Sequence, residues 1–186
     1  DVHDLLTPEE IEETKAYLFS RGANVKPIYN TPAYNNLDVY QLNCTYYSAL
    51  GNNDAAYLLA RAIQFFTPGI PQVYCVGLLA GENDLELLEK TKEGRNINRH
   101  YYSLEEAEKE LERPVVQRLF ALMRFRSSYP VFAGEFSAEP LGPSGLRLAW
   151  RRGEYQAVLE GDLRSHSFTI SYRDPQTGQN RTLDLG

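Results

Sequence analysis

A chain of 186 residues with 42% hydrophobic and 24% charged residues has the balance of a globular protein, built as one large domain or parts of two. A net charge of -6 argues against nucleic acid as a partner, because phosphate backbones are held by clustered Lys and Arg. No apolar run approaches the roughly 20 residues of a membrane helix, and Asp1-Val2-His3-Asp4 has neither the basic nor the apolar region of a secretory signal, so a cytoplasmic location is expected.

In chain order, Thr7-Pro8-Glu9-Glu10 opens a helix: Thr7 caps, Pro8 suits the first helical position, and Glu10 completes a capping box. The helix is expected to reach about Arg21, with Gly22 as the left-handed stop. Residues 23–51 carry no helical period and are rich in Asn, Tyr, Pro and Ser, a composition for an ordered functional loop. Asn53 or Asp54 caps a second helix with Leu58, Leu59, Ala62, Ile63 and Phe66 on one face, ended by Pro68-Gly69. The apolar run 70–76 then predicts a strand buried on both faces, as in a parallel sheet.

Further on, Asn83 or Asp84 starts a short helix through about Lys92, stopped at Gly94. Ser103-Leu104-Glu105-Glu106 opens an acidic helix to about Glu112, and Pro114 begins a last one with Val116, Leu119, Phe120 and Met123 on one face. From about Glu135 the period changes to two. Leu146, Leu148 and Trp150 alternate with polar residues, as do Phe168, Ile170 and Tyr172, with Gly153, Gly161 and Asp174-Pro175 marking turns. This predicts a small antiparallel domain of four or five strands after an α/β region. A single buried strand cannot make a sheet, so the α/β region reads as part of a larger one.

Two cysteines, Cys44 and Cys75, are too isolated for a disulfide framework. His3, His100 and His166 lie far apart, so no metal is expected, and there is no phosphate-cradling glycine motif or nucleophile elbow. Two segments carry candidate chemistry. Asp38, Tyr40, Gln41 and Asn43 combine carboxylate, ring and amides, the partners that sugar hydroxyls and C–H faces need. The competing reading is a loop whose tyrosines pack and whose amides satisfy backbone. Arg95 and Arg99, among amides, suit bidentate contact to a carboxylate or phosphate, or else the spent carbonyls of a helix end.

Taken together, Asn-Asn-Leu-Asp-Val-Tyr-Gln-Leu-Asn (35–43), Thr-Tyr-Tyr-Ser-Ala-Leu-Gly (45–51), Pro-Gly-Ile-Pro-Gln-Val-Tyr (68–74), Leu-Ala-Gly-Glu-Asn-Asp (79–84) and Gly-Arg-Asn-Ile-Asn-Arg-His-Tyr-Tyr (94–102) resemble the sucrose phosphorylases, of the α-amylase-like glycoside hydrolase clan. The resemblance runs from the first residues to about Pro130 and more weakly beyond. It implies the C-terminal portion of a (β/α)8 barrel followed by an antiparallel β domain. Residues 1–51 would be the insertion after barrel strand 7, residues 52–134 the last part of the barrel with 70–76 as its eighth strand, and residues 135–186 the C-terminal domain.

The family reaction is double displacement with retention: sucrose and phosphate give α-glucose 1-phosphate and fructose, without metal or organic cofactor. Asp38 and Tyr40 resemble groups that meet fructose, Gln41 sits where acceptor preference is shaped, and Arg95 resembles the arginine that helps hold the glucosyl unit. Val39 stands where a larger aliphatic residue is common. The resemblance also implies that the nucleophilic aspartate and the acid/base glutamate lie upstream. The third carboxylate belongs to a His-Asp-Gly motif. Leu5 follows His3-Asp4 where that motif has Gly, so no catalytic carboxylate is expected here, and the chain alone is expected to be inactive without the N-terminal barrel portion. A homodimer is open to such a protein. Sucrose 6-phosphate and glucosylglycerate phosphorylases share most of these motifs, although Tyr40 favours plain sucrose over a phosphorylated sugar. A non-catalytic carbohydrate-binding module is the alternative of a different class.

Overall fold

A computed structural model describes residues 5–25, 30–31, 34–35 and 42–186. Its helices are α1 (Pro8–Ser20), α2 (Tyr46–Ala49), α3 (Asp54–Phe66), α4 (Cys75–Leu78), α5 (Leu85–Thr91), α6 (Leu104–Leu111) and α7 (Pro114–Ser128). Among the described residues the strands are β1 (Asn24–Val25), β2 (Asn30–Thr31), β3 (Tyr34–Asn35), β4 (Leu42–Asn43), β5 (Glu135–Leu141), β6 (Gly145–Arg152), β7 (Tyr155–Asp162), β8 (Phe168–Arg173) and β9 (Asn180–Thr182). The chain divides into two units, residues 1–53 with 75–103, and residues 54–74 with 104–186.

In the first unit the capping box of α1 forms as expected. The Glu10 N–H donates to Thr7 Oγ1 at 3.3 Å and the Thr7 N–H to Glu10 Oε2 at 2.7 Å. Gly22, at φ 81°, stops the helix, with Gly22 N–H on the Phe19 carbonyl and Ala23 N–H on that of Leu18, the paired bonds of a Schellman motif. Strand β1 pairs antiparallel with β4, and β2 with β3. Asp84 proves to be the cap of α5, accepting from the Leu87 N–H at 2.7 Å. The helix stops two residues before the expected Gly94. Lys92 takes the left-handed position at φ 53°, which frees Gly94 to begin a 3-10 turn, Gly94–Asn98.

The second unit is built on a meander sheet ordered β5-β6-β7-β8-β9, every pair antiparallel. Helix α7 packs on α3, and α3 on β6 and β7. The alternation read from the sequence holds in β8, where Ile170 is buried between exposed Thr169 and Ser171, but not along β6, where residues 145–149 are all partly buried and only Trp150 is fully so. Leu59, Phe66, Leu119, Leu159 and Ile170 sit at the centre, each worth about 1.5–3 kcal/mol of transfer free energy. The buried face of α7 differs from expectation. Val115, Val116, Leu119, Leu122 and Phe125 are buried, and Phe120 and Met123 only partly; Phe125 meets Tyr129 and Tyr172 in an aromatic cluster. Gly161, expected at a turn, lies inside β7. A Cβ there would stand 2.7 Å from Leu59 Cδ1, so glycine permits the close approach of sheet and helix.

Residues 70–76 depart from expectation. No strand forms there: residues 75–78 are helical, and Ile70 and Tyr74 are 92% and 60% exposed. The physical reason is pairing. A strand exists only through a ladder with a neighbour, and no described strand lies beside this run.

Candidate functional site

Of the five site residues proposed from the sequence, Asp38, Val39, Tyr40 and Gln41 lie outside the described residues. The structure places the fifth, Arg95, on the 3-10 turn Gly94–Asn98 of the first unit. Buried Gly94 and the fully buried Ile97 anchor this turn, and the Asn96 N–H closes it on the Glu93 carbonyl at 2.9 Å. The base of Arg95 is thereby fixed while its side chain remains 46% exposed. Its Nε lies 3.5 Å from Glu93 Oε1, a loose pair that leaves the planar fork of donors available to a carboxylate or to neighbouring hydroxyls.

Two residues hold the turn from outside. The Asp84 N–H donates to the Ile97 carbonyl at 2.7 Å, and Asp84 Oδ2 accepts from His100 Nδ1 at 2.6 Å. Burial works to raise the Asp84 pKa, but the bond from His100, the Leu87 N–H and the charge of His100 outweigh it and keep the carboxyl below its ordinary value. The His100 ring meets Tyr102 edge to face at 4.5 Å. Tyr102 in turn crowds Gly81, where a Cβ would stand 2.3 Å from its Oη.

Strand β4, which leads out of the segment 36–41, packs against the same turn, as β1 does. The Asn98 side chain reaches the Cys44 carbonyl at 3.5 Å. Just beyond β4, Asn83 Oδ1 accepts from the Thr45 N–H at 2.7 Å, and the Asn83 N–H donates to Ser48 Oγ at 3.0 Å. Asn83 Nδ2 faces the carbonyls of Arg21 and Gly22 and the sulfur of Cys44, at 3.3 to 3.4 Å. Burial pushes the Cys44 thiol up, and the Asn83 bond opposes it. Thr45 caps α2 through the Ser48 N–H, and buried Asn43 leaves its Nδ2 without a partner.

Asn83 and His100 escaped sequence reasoning as structural members of this region. Asp84 and Asn83 were visible as cap candidates, but a bond spanning 38 residues leaves no local signal. Among the described residues no group of three or more His, Cys, Asp or Glu is placed to hold a metal, and no helix is long and apolar enough to cross a membrane.

No protein-family model matches the chain. It is 50% identical over 187 residues to a glucosylglycerol phosphorylase of Marinobacter adhaerens, covering 99% of this chain and 38% of that protein. It is 51% identical over 178 residues to a sucrose phosphorylase of Streptococcus mutans, covering 94% and 37%. The crystal structure of sucrose 6F-phosphate phosphorylase from Thermoanaerobacter thermosaccharolyticum matches with a TM-score of 0.90 and 48% identity, over 98% of this chain and 36% of that one. The chain thus spans little more than a third of the length of the proteins it matches.

Proposed function

Because the chain belongs to the sucrose phosphorylase family and corresponds to the C-terminal portion of its members, we propose that it is part of a retaining glycoside phosphorylase that converts sucrose and phosphate to α-glucose 1-phosphate and fructose. Within that enzyme, Asp38, Val39, Tyr40 and Gln41 line the acceptor side, and Arg95 helps to hold the glucosyl unit. The nucleophile, the acid/base and the third carboxylate come from the rest of the barrel. Residues 52–134 complete that (β/α)8 barrel, where the run 70–74, with no described strand beside it in this chain, would find its ladder only next to the upstream strands, and residues 135–186 form the appended domain. The enzyme works in the cytoplasm without metal or organic cofactor, and a homodimer is compatible with it.

The observation that carries this reading is Arg95: a half-exposed guanidinium on a turn anchored by buried Ile97, in a segment that resembles the family's glucosyl-holding motif. A planar fork on a rigid base suits a sugar's hydroxyls and the carboxylates around them. The test is phosphate-dependent release of glucose 1-phosphate from sucrose by the protein carrying its N-terminal barrel portion. The 186 residues alone should give none, and turnover by them would sink the assignment of the missing groups.

A second reading concerns the acceptor only. Identities of 48% to 51% to phosphorylases named for glucosylglycerol, sucrose and sucrose 6-phosphate do not separate these leaving groups. Assaying sucrose, sucrose 6-phosphate, glucosylglycerol and glucosylglycerate side by side decides among them. Tyr40 is a neutral group in the acceptor segment, which favours an unphosphorylated acceptor.

A further inference from the structure

Asn83 and Asp84 are neighbours in sequence, yet their bonds run to different segments of the first unit. Asn83 ties the end of α1, at Arg21 and Gly22, to Cys44, Thr45 and Ser48, the stretch that follows β4. Asp84 ties the start of α5 to Ile97 and His100, which bracket the C-terminal side of the Arg95 turn. One planar peptide bond joins the two sets of contacts and fixes the spacing of the two Cα atoms at about 3.8 Å. The two residues offer five distinct polar groups to these contacts: both backbone N–H groups, the Asn83 Oδ1 and Nδ2, and the Asp84 carboxylate. The Asn98 side chain also reaches across from the turn to the Cys44 carbonyl, but at 3.5 Å that contact is at the limit of hydrogen bonding.

We propose that Asn83 and Asp84 act together as a positioning unit that keeps the segment after β4 in register with the Arg95 turn. The inference rests on the reading above, in which the residues just before β4 serve the acceptor and Arg95 serves the glucosyl unit. It adds that the two halves of the sugar site share one mechanical anchor, formed by residues that touch neither sugar.

The experiment reads hydrogen exchange on the 186-residue chain, segment by segment, in Asn83→Ala, Asp84→Ala and Asp84→Asn. Coupling predicts that Asn83→Ala speeds exchange on the order of tenfold at residues 94–100 as well as at 42–48, and that Asp84→Ala does the same in reverse. Asp84→Asn keeps a capping acceptor and a polar partner for His100, so it should restore most of the protection. Acceleration confined to each residue's own segment overturns the proposal. Should Asn83→Ala unfold the whole unit, seen as lost protection in α1 and α5, Asn83→Asp puts the same question while keeping the acceptor for the Thr45 N–H. In the full-length protein, Asn83→Ala should raise the acceptor KM and weaken donor kcat/KM together, each by about tenfold or more. A full-length wild type that forms no glucose 1-phosphate would refute the functional reading, while the exchange data still judge the coupling.

Discussion

The indole N–H of Trp150, in β6, donates to the carbonyl of Phe66, the last residue of α3, at 2.6 Å. Trp150 is buried, and its ring also contacts Phe132 and Phe136, while the Arg126 guanidinium lies 5.6 Å from it. Trp150→Phe keeps most of the packing and removes the donor, so it should cost about 1–3 kcal/mol through the unpaired Phe66 carbonyl. Trp150→Ala adds a cavity and should cost about 3–5 kcal/mol. Urea unfolding midpoints of the two variants check the order; a Trp150→Phe midpoint equal to that of the wild type would show that the bond contributes nothing.

The turn after β7 depends on Asp162. Its carboxylate accepts from the Arg164 and Ser165 N–H groups and from the Ser144 hydroxyl, bonds that lower its pKa from 3.8 to about 2. A depressed folded pKa adds stability that is fully present above the unfolded value near 3.8 and fades as pH falls through about 2. Unfolding measured at pH 5 and pH 2.5 should therefore show a smaller decline for Asp162→Asn than for the wild type.

Arg95 on its anchored turn gives a sharp expectation for the full-length enzyme. Arg95→Lys keeps the charge but loses the fork, and should lower kcat/KM for glucose 1-phosphate formation by about 10² to 10³. Melting temperature should hardly change, since the side chain is half-exposed and its pair with Glu93 is loose. Unchanged kinetics would remove Arg95 from the site.

Residues 70–74 should exchange their amide hydrogens freely in the 186-residue chain and become protected when the N-terminal barrel portion is present. That outcome, read by mass spectrometry, would supply the ladder the run lacks. Continued rapid exchange in the longer protein would argue against its role as a barrel strand.

Much of the architecture was legible because its signals are local. The Thr7 capping box, Pro114 at the start of α7 and the alternation around Ile170 each depend on a few neighbouring residues. Gly161 misled for the opposite reason: its need for glycine comes from Leu59, about a hundred positions away, and a sequence shows only that a glycine is there. The run 70–76 has the composition of a buried strand, but a strand is a property of a pair. Arg95 was singled out through its motif and the structure shows it half-exposed on the 3-10 turn, whereas Asn83 and His100 gained their places through long-range bonds that no spacing rule encodes.

The meander has a kinetic corollary. Strands that pair in sequence order close short loops, so the four hairpin contacts of the sheet can form early and quickly. Docking that sheet on α3 is another matter, because the Trp150 to Phe66 bond spans 84 residues. Closing a loop of that length costs entropy that grows only slowly with size, yet it must be met before the indole finds its carbonyl. Refolding of the second unit should therefore show early β structure followed by a later burial of tryptophan, with the Trp150 fluorescence reporting the docking step rather than the formation of the strand that carries it.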